Sequence, residues 1–104
     1  SKYIIIPEET PLTARFIKSD NYIVCGTKSG STFLIDSNSC EIVAGVKCHE
    51  GEIWNIVTLK VKDIYYVVTC SSDKKINYFK INFEQLVENK VSFEEDENDE
   101  SNII

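Results

Sequence analysis

Apolar residues in this chain come in short runs separated by clusters of Ser, Asn, Asp, Lys and Gly. Residues 12–17 alternate through Leu12, Ala14 and Phe16, the period-two pattern of a half-buried strand. Residues 22–26 form an unbroken apolar run suited to a strand covered on both faces. The turns Lys18-Ser19-Asp20-Asn21 and Lys28-Ser29-Gly30 flank that run, and Gly30 is free to take positive φ. Strands are predicted next over residues 31–36 and 40–46, parted by Ser37-Asn38-Ser39. A second series repeats the order: a strand over 52–59, a turn over 60–63, a strand over 64–70, the tight turn Ser71-Ser72-Asp73-Lys74, and a strand over 75–81. Residues 2–6 add a strand ended by Pro7. Residues 83–87 fall in the slot of an outer strand, although Phe83, Leu86 and Val87 equally suit a short helix.

The two series superpose. A shift of 44 residues lays Tyr22-Ile23-Val24 on Tyr66-Val67-Val68, Thr27 on Ser71, and residues 29–36 on 73–80. In the second copy Cys48-His49 precedes the first strand and Phe79-Lys80 closes the third. This order resembles the WD-repeat family of β-propellers, whose units of about 40–45 residues carry Gly-His near the start and Trp-Asp near the end. Cys48-His49 stands at the Gly-His position and Phe79-Lys80 at the Trp-Asp position. The upstream copy keeps Asp36 but has Ile35 in the Trp position, and its Gly-His falls on Ile4-Ile5. The resemblance implies an all-β fold of antiparallel four-stranded blades. Residues 1–46 would be the outer strand of a preceding blade plus a first degenerate blade, and 47–82 a second blade. Residues 83–93 would be an outer strand or short helix, and 94–104 an acidic disordered tail. Propellers close with roughly four to eight blades, so material for about two reads as a piece of a larger propeller. A start at Ser1 without Met points the same way.

Charge and cysteines narrow the function classes. Six acids crowd into residues 94–100, which leaves eleven basic and eleven acidic side chains in the remainder. A neutral body with an acidic tail is a poor match for phosphate backbones, so direct contact with nucleic acid is disfavoured. No apolar run of roughly 18 residues is present, which argues against a membrane-spanning helix. Cys25, Cys40, Cys48 and Cys70 occur without a visible secretory signal, and Cys25 and Cys70 sit in strand-like apolar runs. Reduced thiols and an intracellular setting, cytoplasmic or nuclear, are expected.

His49, Ser71 and Asp73 contain the residue types of a nucleophilic triad. The family resemblance implies a different role: a His, a Ser or Thr, a Trp and an Asp that staple the blade through hydrogen bonds, here His49, Ser71, Asp73 and Phe79. Phenylalanine lacks the indole N–H, so one donor of that network is missing. The first copy has Ser29 in the Asp position and no His, and is expected to rely on apolar packing. A metal site built on Cys48 and His49 with other cysteines lacks the paired short spacings of zinc ligands. No metal, cofactor or catalytic residue is therefore expected.

Propeller rims near the central channel are built from the starts of innermost strands. That assigns Trp54, Glu50 and Glu52 as partner-binding candidates, with Arg15 in the corresponding strand of the first copy. Expected partners are proteins or peptides docking at the rim, and the remaining blades of the parent or other copies. The reading is a non-enzymatic protein-interaction scaffold. Two alternatives stand beside it: an assembly segment that completes a propeller with other chains, and a regulatory propeller fragment of a multidomain enzyme.

Overall fold

Alternating β-branched and aromatic residues favour a pleated, half-buried surface, and the chain answers with two antiparallel meanders. The computed structural model describes residues 3–83 and the backbone of residues 92–94. Strands β1 (Pro11–Ile17), β2 (Tyr22–Thr27), β3 (Ser31–Asp36) and β4 (Ile42–Lys47) form one four-stranded sheet in sequence order. Strands β5 (Ile53–Val61), β6 (Ile64–Ser71), β7 (Ile76–Asn82) and β8 (Ser92–Glu94) form the other. The sheets stack face to face with β1 alongside β5.

Register shows how the stack is built. On the face of the first sheet that meets the second, Arg15, Val24 and Leu34 form one cross-strand row, and Ile17 and Tyr22 begin the next. The second sheet answers with the rows Ile56–Thr69–Asn77 and Thr58–Val67–Phe79. Val24, Leu34, Ile56 and Val67 are fully buried in the resulting core, joined by Ile53, Phe79 and Ile81. Phe83 seals one end of it, its ring 4.9 Å from Tyr22 and 5.5 Å from Tyr65. A second, smaller cluster on the far face of the first sheet gathers Ile6, Cys25 and Ile35, with Ile4, Ile23 and Phe33 against them.

The repeat is exact in β2–β3 against β6–β7 but not in the innermost strands. Four residues link β1 to β2 and only two link β5 to β6. Lys62 (φ 48°) and Asp63 (φ 68°) make that shorter turn with both central residues left-handed, the twist a two-residue hairpin prefers. Matching by strand pairing, the innermost strands correspond at a shift of 42 residues, with Thr13 equivalent to Asn55 and Leu12 to Trp54. Both strands carry a bulge at that point, between Pro11 and Thr13 and between Ile53 and Asn55.

Three expectations are revised. Residues 3–6 pair with no strand among the described residues; Ile6 instead packs on Cys25 and Ile35. The strand paired to the outer side of β7 is Ser92–Glu94, with Glu94 opposite Lys80, and Phe83 stands outside it; the remainder of the expected strand over 83–87 lies outside the described residues. Glu94 therefore belongs to the sheet and not to the tail. The helix alternative over 84–87 and the tail over 95–104 lie outside the described residues.

Candidate partner-binding rim and the buried histidine network

The segment between β4 and β5 crosses from one sheet to the other and carries His49. Its backbone is fixed by the first sheet: the amides of Cys48 and His49 both donate to the Gly30 carbonyl at 3.0 Å. Gly30 sits at φ +97°, and a Cβ there would run into the His49 carbonyl. Glycine is thus required by the turn and by close approach.

That anchoring aims the imidazole into the second sheet, where the side chain has no solvent exposure. Nδ1 lies 3.1 and 3.0 Å from the two carboxylate oxygens of Asp73, and Nε2 lies 2.7 Å from the Thr69 hydroxyl. Nδ1–H donating to Asp73 leaves Nε2 to accept from Thr69. The carboxylate also accepts the amides of Glu50 at 3.1 Å and Lys75 at 2.9 Å. Partial desolvation works against the charged form of Asp73, but these amides and His49 outweigh it and hold the pKa below the ordinary carboxylate value.

Two residues depart from the expected assignment. Ser71 is buried near the turn, but its hydroxyl accepts the Asp73 amide at 3.1 Å and does not meet the imidazole. Thr69 takes that place. Residues 67, 69 and 71 share one face of β6, and of its two hydroxyls Thr69, with no solvent exposure, is the one at the depth of the ring. Phe79 is buried in the core, 4% exposed, one row below the network. The first sheet has a substitute that its sequence did not reveal. Ser29 donates to the Glu9 carboxylate at 2.6 Å and lies 3.2 Å from the Thr27 hydroxyl. The hydroxyls of Ser29 and Thr27 lower the Glu9 pKa.

Trp54, at the bulge that opens β5, is 65% exposed. Glu50 is exposed beside it in sequence, near Lys47 at 3.9 Å, and Glu52 is half-buried with its carbonyl accepting the Ser72 amide at 3.0 Å. Arg15 reaches across from β1 and donates to the Asn55 side chain at 3.2 Å, which brings it to the residue next to Trp54. Three of the four rim candidates thus present exposed side chains, and Glu52 is the partly covered one. At the opposite end of the sheets a cleft of about 440 Å³ is lined by Lys18, Asp63, Tyr65, Lys80 and Phe83. The Lys18 ammonium stands 4.4 Å above the Phe83 ring there. All four cysteines are free thiols, and burial raises the pKa of Cys25 and Cys48. Among the described residues no three His, Cys, Asp or Glu side chains are grouped to hold a metal ion, and no helix is long and apolar enough to cross a membrane.

Among solved structures, the chain is similar to the Cps50 (Swd1) β-propeller domain of Myceliophteria thermophila, with a TM-score of 0.63 over 72% of this chain. The fold is that of propeller blades. Identity across the match is 19%, which speaks to fold alone, and the chain spans about a fifth (22%) of the length of that propeller. No protein-family model and no curated protein matches the chain. Each four-stranded sheet is therefore a blade, β1 and β5 are the innermost strands, and the core described above is an inter-blade core.

Proposed function

We propose that this chain is a non-enzymatic protein-interaction scaffold, two adjacent blades of a WD-repeat propeller, whose partner is a protein segment of basic or mixed charge docking beside Trp54. The observation that carries the reading is the 65% exposure of the single tryptophan at the bulge of an innermost strand. Aromatic and Arg side chains dominate binding hot spots, and Arg15 lies one residue away across the blade boundary. Glu50 adds acidic character to the same rim, which favours a cationic guest. The His49 network is a staple in this reading. Its imidazole is sealed from solvent, and the Ser71 hydroxyl faces the Asp73 amide rather than a base.

Fluorescence anisotropy with labelled Lys- and Arg-containing peptides, selected on a peptide array, tests the site. Trp54→Ala is expected to weaken binding by roughly 30-fold, about 2 kcal/mol, with the circular dichroism spectrum and melt unchanged. Retained affinity moves the site off the rim. Loss of fold together with binding makes Trp54 a packing residue.

A second reading, an assembly segment that completes a propeller with other chains, is favoured by a separate observation. The face of the second blade turned away from the first exposes Val57, Leu59 and Val61 at 41–48%.

A further inference from the structure

Arg15 is the single arginine of the chain, and two hydrogen bonds fix its guanidinium. Nη1 donates to the Ala14 carbonyl of its own strand at 2.8 Å, and Nη2 donates to the Asn55 side-chain oxygen of the second blade at 3.2 Å. That oxygen is itself held, because it also accepts the Ile56 amide at 3.0 Å. The remaining N–H groups of the fork stay open to a ligand on an exposed side chain.

The charge of Arg15 has no partner among the described residues. The ion pairs found there join Lys47 to Glu50, His49 to Asp73 and Lys60 to Asp63. Blade architecture does not require an arginine at this point either. Matched by strand pairing, the equivalent position of β5 is Val57. The bond to Asn55 gives Arg15 a structural role across the blade boundary, but a neutral donor would serve it equally. The positive charge is surplus to that role.

We infer that Arg15 sets the specificity of the rim by taking the carboxylate of an acidic side chain in the guest. The inference rests on the docking of a protein segment beside Trp54 and narrows that guest to one of mixed charge, with an acidic residue for Arg15 and a basic one for Glu50. A guanidinium fork matches a carboxylate in shape as well as charge. Because this fork is already pinned at both amino groups, little side-chain freedom is lost on binding. Glu50 and Arg15 also place opposite charges at one rim, so a guest with its acid and base exchanged meets like charges at both.

One arginine and one tryptophan give one Nε–H and one indole N–H resonance, so a single ¹H–¹⁵N spectrum of the full chain reads both halves of the site. The probes are end-capped peptides pairing a Lys with a Glu at graded separations around a Leu, each beside a twin with Gln for Glu. Capping removes the terminal charges, which leaves the Glu side chain as the carboxylate. A Glu peptide is expected to shift both resonances and to bind on the order of ten-fold more tightly than its twin, an advantage that shrinks as salt rises. Arg15→Gln keeps a neutral donor for Asn55 and should bind both twins equally, with circular dichroism unchanged. The twin comparison on the wild-type chain needs no variant, so a loss of fold in Arg15→Gln leaves the test standing. Twins of equal affinity, or an indole shift without an Nε–H shift, overturn the inference and leave the Trp54 site in place. A preference for Glu that survives in folded Arg15→Gln overturns the assignment to Arg15. An Nε–H shift with the indole unmoved removes Trp54 from the site and keeps the carboxylate contact. Two unmoved resonances overturn both readings.

Discussion

Removing His49 should weaken the second blade in a way that reveals its wiring. In His49→Ala the Thr69 hydroxyl, with no solvent exposure, is left with the Asn77 carbonyl at a stretched 3.5 Å and the weakly bonding Cys48 thiol. A buried hydroxyl left without a good partner costs about 1–3 kcal/mol, and the space vacated by a sealed imidazole adds on the order of 1 kcal/mol. The Asp73 side chain, 11% exposed, retains the Glu50 and Lys75 amides, so it contributes less to the loss. The expected destabilisation is roughly 2–4 kcal/mol, a fall in Tm of about 10 °C or more for a domain of this size. The discriminating step is a double-mutant cycle with Thr69→Val. In the wild-type background that change strands Nε2 of a buried ring and should cost about 1–3 kcal/mol. In the His49→Ala background it removes an orphaned hydroxyl and should be neutral or stabilising. Urea melts of the four proteins measure the coupling. Equal costs of Thr69→Val in both backgrounds would refute the pairing of His49 with Thr69.

Two further outcomes are expected. Lys74 holds φ 72° at the position where the first blade has Gly30, and both donate to the carbonyl three residues earlier at 3.2 Å. Lys74→Gly should relieve about 1–2 kcal/mol of left-handed strain, offset by about 0.5–1 kcal/mol of backbone entropy, and a thermal melt should show a small rise in Tm. On acidification, Asp73 and Glu9 have folded pKa values below their unfolded ones, so the unfolded chain binds protons first. Their contribution is present above about pH 5 and is lost as pH falls through the lowered folded values. Tm measured between pH 3 and 7 should be flat at the upper end and fall below, and Asp73→Asn with Glu9→Gln should flatten the acid limb.

Much of this fold is written in local pattern. Turn residues and period-two alternation located the first seven strands to within two residues of the observed bounds, and the buried run 22–26 became the best-covered strand of the first blade. The 44-residue shift held wherever turn lengths matched, from Tyr22 to Asp36 against Tyr66 to Lys80. It failed in β1 and β5 because a two-residue turn replaces a four-residue one, which no composition signal announces. The eighth strand was missed because Ser92–Glu94 is short and its pairing with β7 is a long-range choice. The pairing of His49 with Asp73 was expected only through the resemblance to the WD-repeat family, and the structure puts Nδ1 3.0 Å from the carboxylate. Thr69 was not separated from Ser71, since both are small hydroxyl residues on one face and only the depth of the ring decides between them. The Glu9–Ser29 link was hidden for a similar reason: an exposed acid in a Pro-flanked connection carries no pattern that names its partner.

The carbonyl of Gly30 receives two amides from the segment that begins the next blade. Opening the β2–β3 turn of the first blade therefore releases the backbone that positions His49, and the second blade loses its staple without any change in its own strands. In a linear stack each unit draws stability from its neighbour, and here one glycine transmits that dependence in a single direction. Amide exchange at Cys48 and His49 consequently reports the opening of the blade before them, not of the blade they serve.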